Sequence, residues 1–173
     1  MNDPRNVIDE YKGMPHDEIV ADLDAHGSSL EIAVDNVERD FNMGTIVRSA
    51  NAFGVRHVHI VGRKQWNKRG AMMTDKYLHV HYYPDIEEFM AGMASKHLVA
   101  VDNVPGSVPI ERAELPRNTV LLFGAEGPGI RQELLTRAHS IVKIQQYGST
   151  RSLNVGVAAG IMMYEWTRRN WGR

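Results

Sequence analysis

The chain has 173 residues, 43% of them apolar, no cysteine and a formal net charge of −1 at pH 7. That length suits one domain, here expected to span 1–173, with a real core. The lack of cysteine excludes disulfide frameworks and Cys-based zinc sites. No apolar run approaches the roughly 18–20 residues of a membrane-spanning helix, and the polar start carries no signal-peptide core, so a cytoplasmic, membrane-free protein is expected.

In chain order, residues 1–28 read as a polar lead-in, broken by Pro4, Gly13 and Pro15, followed by a short amphipathic helix over 17–26. A strand is expected at 30–34, a polar connection at 35–42 and a helix at 44–53. Next come a strand at 55–61, a helical turn at 71–76, a strand at 78–83 and a helix at 85–94 with Ile86, Phe89, Met90 and Met93 at helical spacing. Apolar strands follow at 98–101 and 120–123, separated by an irregular stretch, 102–118, whose three prolines mark it as the expected mobile segment. A helix at 130–138, a strand at 141–144 and a long helix at 153–169 complete the pattern. Strands alternating with helices predict an α/β fold around a mostly parallel sheet flanked by helices.

Three motifs stand out: Asn42-Met43-Gly44-Thr45-Ile46-Val47-Arg48 with Asn51-Ala52-Phe53-Gly54, then Leu122-Phe123-Gly124-Ala125-Glu126-Gly127-Pro128-Gly129-Ile130, then Ser152-Leu153-Asn154-Val155-Gly156. The second is a strand breaking into a Gly-Pro turn, where free backbone groups and absent side chains let a ligand approach closely. It is no Walker-type phosphate loop, because no Gly-Lys-Ser/Thr follows. In this order the motifs resemble the SpoU-type branch of the SPOUT RNA methyltransferases, a likeness covering roughly residues 31–169. The resemblance implies a C-terminal trefoil knot, in which the turns after residues 101, 124 and 144 converge on a cofactor pocket. It further implies S-adenosylmethionine as cofactor, a ribose 2′-hydroxyl of tRNA or rRNA as substrate, and a homodimer whose sites draw on both subunits.

Residue by residue, the helix pattern alone makes Arg48 a solvent-exposed side chain, whereas the resemblance makes it the catalytic residue acting on the ribose. It is either the base or an electrostatic clamp. A guanidinium is effectively always protonated, so a bidentate grip on phosphate and a developing alkoxide is the better-founded role. Asn42 reads as a helix N-cap, and the resemblance adds a part in organising Arg48. Glu126 is implied as an active-site wall. Ser152 and Asn154 suit a helix cap and, by resemblance, face the ribose. Val101, Gly124, Gly127, Ile144 and Leu153 are implied to line the cofactor. The chain departs from the family where Ile-Pro-Met is common, having Ile144-Gln145-Gln146.

The segment 63–69 gathers Arg63, Lys64, Lys68 and Arg69 around Trp66, a composition suited to RNA phosphates and bases. The tail from Arg168 repeats it, with an ordinary helix end as the alternative. Gly156, Ala158, Ala159 and Gly160 give the last helix a smooth surface for a close neighbour. His57, His59, His79 and His81 fall at i, i+2 on strands and face one way, yet no carboxylate completes a metal set, so no metal is expected. Two other classes stay open: a catalytically silent knotted RNA-binding or assembly module, and a nucleotide- or metabolite-binding α/β protein sharing only the Gly-rich turn.

Overall fold

The sheet at the centre of the computed structural model, which describes residues 3–37, 42–125 and 127–171, is built of strands that are almost continuously apolar. Such strands must be covered on both faces, which in practice means a parallel sheet between helical layers. The elements run α1 (His16–His26), β1 (Glu31–Asn36), α2 (Asn42–Ala52), β2 (His57–Gly62), β3 (His79–Tyr83), α3 (Ile86–Gly92), β4 (His97–Val101), β5 (Val108–Pro109), β6 (Thr119–Gly124), α4 (Gln132–Arg137), β7 (Ser140–Lys143) and α5 (Val155–Asn170). Among the described residues the sheet has seven strands in the order β3-β2-β1-β6-β4-β7-β5, every neighbouring pair parallel.

Two cores result. On one face α2 and α5 pack together, with Met43, Ile46, Val47 and Ala50 against Met162, Met163 and Trp166. On the other, Phe89 of α3 and Leu134 of α4 cover Ala33, Ala100 and Leu122. Burying a side chain of this kind stabilises the fold by about 1.5–3 kcal/mol.

The expected elements are all present, with shifted ends. β1 extends two residues past the expected 30–34, so Asp35 and Asn36, assigned above to a polar connection, are buried in the sheet. Their polarity is satisfied locally: Asn36 Nδ2 donates to the carbonyls of Arg63 and Gln65, while Asp35 accepts from Arg131.

The stretch 102–118 is not the loose segment its prolines suggested. It contains β5 and a 3-10 turn at Ile110–Arg112, and it buries Ile110, Ala113 and Leu115. α5 clasps it: Trp166 Nε1 donates to Pro116 O at 2.9 Å, and the Arg169 guanidinium to Ala113 O and Ile110 O at 2.8 Å each. Arg168 and Arg169 also pair with Glu165. Arg168 and Arg169 are thus engaged at the end of α5, in keeping with the ordinary helix end named as the alternative for the tail. The lead-in is docked too, with Tyr11 Oη donating to Asp22 of α1 at 2.6 Å.

Candidate active site

A parallel sheet leaves its ligand-binding crevice beyond the carboxyl ends of the strands, where the connecting turns diverge. Here β4, β6 and β7 end at one cleft of about 180 Å³. Val101 ends β4, Gly124 ends β6, and Ile144 stands just past β7. Gly127, Ser152 and Leu153 complete the wall. The five residues expected to line a cofactor thus lie together, although they are spread from Val101 to Leu153 in the sequence.

The Gly-rich turn is fixed sterically. A Cβ on Gly124 would stand 2.2 Å from the Gly129 carbonyl carbon and 2.5 Å from Ile130 N. Gly127 (φ +100°) and Gly129 (φ +72°) adopt left-handed backbone that side chains resist. The far end of the turn is tethered by Asp35, which is fully buried and accepts from both Arg131 N and Arg131 Nε at 2.9 Å. Since Asp35 lies opposite Gly124 in the β1–β6 register, its pairing with half-buried Arg131 clamps the turn to the sheet. The pair is not legible in the sequence. Its signal was an Asp at the end of an apolar strand, which sequence alone cannot pair with a partner 96 residues away.

The third motif connects to the first. Asn154 caps α5, its Oδ1 accepting from Gly156 N at 3.0 Å and Val157 N at 3.2 Å, while its Nδ2 donates to Asn42 Oδ1 at 2.8 Å. Asn42 is thus the first residue of α2 rather than its cap. Of the two cap candidates, Asn154 takes that role and Ser152 faces the cleft. Gly156 packs its missing side chain against Thr45 of α2, with a built Cβ only 3.0 Å from Thr45 Cγ2.

Arg48 lies elsewhere. It is exposed on α2, does not line the cleft, and forms no hydrogen bond or ion pair among the described residues. α5 presents an apolar stripe of Val157, Ile161 and Tyr164, all exposed. A Cβ on Gly160 in that stripe would meet no described atom within 4 Å. Glu126 lies outside the described residues.

In the cleft, apolar walls from Phe123, Ile144 and Leu153 face polar groups of Asp102, Asn103 and Gln146. Asp102 and Asn103 went unnoticed in the sequence, although each follows the end of a strand; Gln146 stood out there only as a departure from the family's Ile-Pro-Met. Gln146 Oε1 is buried and has no hydrogen-bond partner among the described residues. A buried acceptor left so calls for an N–H donor, and a nucleoside cofactor carries one. The arrangement therefore fits S-adenosylmethionine: apolar surface for a flat base, tight backbone turns, and an unmet acceptor.

Arg63, Lys64, Lys68 and Arg69 are exposed on the connection after β2. Lys68 Nζ bonds Asp75 at 2.9 Å and sits 5.4 Å from the Trp66 ring centroid; Lys64 lies 5.1 Å from that of Tyr82. These cations are separate from the cleft.

The four histidines pair across β2 and β3 in register, His57 with His79 and His59 with His81. His57 Nδ1 and His81 Nε2 are 2.9 Å apart, and His59 reaches Glu31 Oε2 at 2.7 Å. Burial, reinforced by neighbouring histidines, lowers the pKa of His57 and His81. Burial alone would raise the Glu31 carboxyl, but hydrogen bonds from His59 and Lys96 prevail and bring it down to about 2. Among the described residues no group of His, Asp and Glu has the arrangement of a metal site.

A family model for the SpoU rRNA methylase family matches residues 29–164. The chain belongs to the SpoU rRNA methylase family. This SpoU chain is 27% identical over 150 residues to the tRNA (guanosine(18)-2'-O)-methyltransferase of Thermus thermophilus, covering 81% of this chain and 75% of that one. Its fold matches the Aquifex aeolicus TrmH/SpoU tRNA modifying enzyme with a TM-score of 0.78 at 26% identity, over 89% of this chain and 81% of that one. It also matches the AdoMet-bound rRNA methyltransferase of Sinorhizobium meliloti, with a TM-score of 0.74 at 28% identity. That alignment covers 83% of the SpoU chain but 57% of the Sinorhizobium protein. No helix among the described residues is long and apolar enough to cross a membrane.

Proposed function

We propose that this chain transfers a methyl group from S-adenosylmethionine to a ribose 2′-hydroxyl of tRNA or rRNA, acting as a knotted homodimer in the cytoplasm. The observation that carries the reading is the Asn154–Asn42 hydrogen bond, which joins the cleft wall to the helix bearing Arg48. The SpoU family match and the methyltransferase relatives support the chemistry.

When bound, S-adenosylmethionine supplies an electrophilic methyl on its sulfonium. Val101, Gly124, Gly127, Ile144 and Leu153 hold and orient it, and the apolar walls exclude water. Ser152 and Asn154 border the ribose. Asn42 steadies Asn154 and the start of α2, while Glu126 walls the site. Arg48, a permanent cation, grips a neighbouring phosphate bidentately and stabilises negative charge developing on the ribose oxygen. The hydroxyl proton passes to a phosphate oxygen or water. Arg63, Lys64, Lys68 and Arg69 bind the RNA backbone.

Two further elements complete the reading. Dimerisation through the exposed α5 stripe brings Arg48 of one copy to the cleft of the other, which accounts for an arginine that stands clear of its own cleft. The knot is supported by the sheet order: β7 lies between β4 and β5, so the connection 102–118 passes on the far side of β7.

The test is transfer of labelled methyl to total tRNA and, separately, to rRNA. Incorporation should vanish in Arg48→Ala and fall by most of its value in Arg48→Lys, which keeps the charge but loses the fork. Cofactor binding without incorporation into either RNA would favour the silent RNA-binding module instead. Near-normal turnover by Arg48→Lys would overturn the bidentate role.

A further inference from the structure

Met72 and Met73 are consecutive residues with left-handed backbone, φ 48° and 64°, the only non-glycine residues of that kind among the described residues. Left-handed backbone is strained for a residue that carries a side chain. The strain is held from both sides by 3-10 turns, Arg69–Ala71 and Thr74–Tyr77, with buried Thr74 Oγ1 donating to Ala71 O at 2.6 Å. Its result is to hold two apolar side chains in solvent, 53% and 60% exposed.

They line a groove of about 870 Å³ whose rim carries Arg5, Lys68, Arg69 and Lys76. Arg5 pairs with Asp3 and Lys68 with Asp75, whereas Arg69 and Lys76 form no ion pair among the described residues. His16 and Tyr77, with ring centroids 5.0 Å apart, also line it. Exposed thioethers beside the His16 ring, within a cationic rim, suit a ligand with a flat apolar face and an anionic edge. Methionine packs favourably on aromatic rings and serves as a wedge against nucleic-acid bases. A paired helix would offer this groove mainly phosphates and sugars, whereas an unpaired nucleotide offers its base.

The groove is also anchored to the catalytic helix of the reading above. Gly44 of α2 and Gly70 meet backbone to backbone, a Cβ on Gly44 standing 2.7 Å from Ala71 N. We propose that this groove receives an unpaired nucleotide of the RNA substrate, its base against Met72 and Met73 and its phosphates on Arg69 and Lys76. This rests on RNA being the substrate, as proposed above.

The test is Met72→Gly with Met73→Gly, since glycine accepts the same backbone while removing both side chains. Fluorescence anisotropy with bulk tRNA and with a fully paired RNA duplex, S-adenosylmethionine titration and solution mass by light scattering are read together. The expected result is about tenfold weaker tRNA binding, duplex binding changed by less than about twofold, and unchanged cofactor binding and mass. A second variant, Arg69→Gln with Lys76→Gln, should lower the salt slope of tRNA binding by about two. Unchanged tRNA affinity in the glycine variant would overturn the proposal, as would a change in mass, which would assign the groove to a second copy. The two readings separate cleanly. A wild-type protein that binds tRNA through these methionines but transfers no methyl leaves the groove standing and removes the enzyme. Methyl transfer with unchanged KM in the glycine variant does the reverse.

Discussion

Gly124→Ala tests the cleft at its tightest point. The added methyl would stand 2.2 Å from the Gly129 carbonyl carbon, 2.4 Å from Gly129 O and 2.5 Å from Ile130 N, all backbone atoms. Ordinary carbon–carbon contact is about 3.5 Å, so the turn must retreat by about 1.3 Å. No rotamer change can absorb that, and Arg131, clamped to buried Asp35, resists movement of the turn's far end. Overpacking of this kind costs about 1–3 kcal/mol of stability. A displacement of about 1 Å at a positioning surface costs about a hundredfold in turnover. Urea unfolding should therefore show the midpoint falling without a change of slope, and calorimetric titration with S-adenosylmethionine should show binding weakened by tenfold or more, about 1.4 kcal/mol. Stability within about 0.5 kcal/mol of wild type, together with normal cofactor affinity, would refute the assignment of this turn as the wall of the cleft.

Asn154→Ala removes the α5 cap and the bond to Asn42 together, and should cost about 1–2 kcal/mol in denaturant unfolding while lowering methyl transfer more than cofactor binding. Gly160→Leu improves helix propensity by up to about 1 kcal/mol and meets no described atom of its own chain. It should raise or preserve monomer stability yet give a monomer in light scattering, with methyl transfer lost. Acid should destabilise the protein in two stages. His57 and His81, whose folded pKa values are lowered, are stabilising when neutral, so stability falls as pH drops through about 6.5, their ordinary value. Glu31 is stabilising when ionised, and its contribution, on the order of 2–3 kcal/mol, is lost as pH falls from 4.5 through about 2. Unfolding midpoints across pH, with Glu31→Gln flattening the lower stage, check both.

The strands were legible because a buried parallel sheet writes itself as runs such as Val120-Leu121-Leu122-Phe123, and the cleft because strand ends and glycines mark where chain and ligand meet. Asp35 was misread because a polar residue after an apolar run resembles a loop; only its partner on another element makes it a strand residue. The region 102–118 was misread because proline argues against regular structure but says nothing of burial, which here comes from α5 side chains 50 or more positions away. The left-handed pair at Met72 and Met73 has no sequence signature, since methionine is an ordinary choice where glycine would announce the turn. Arg48 was identified by motif and not by surroundings, for its own chain gives it none to read.

The pairing pattern bears on how this chain reaches its native state. β1 can join β2 early, since Ile32 meets Val58 only 26 positions on, but its other neighbour is β6, where Glu31 meets Val120 across 89 positions. β4 must wait similarly for β7, with Val99 opposite Ser140. Central strands that pair over such spans pay loop-closure entropy before any contact rewards it, which makes folding slow. During synthesis the first strands therefore emerge with their inner edge open, and the sheet is sealed only after residue 140 has arrived. The cleft, whose wall includes Leu153, Val155 and Ala158, and the core, which includes Met162 and Trp166, both depend on the segment that follows β7.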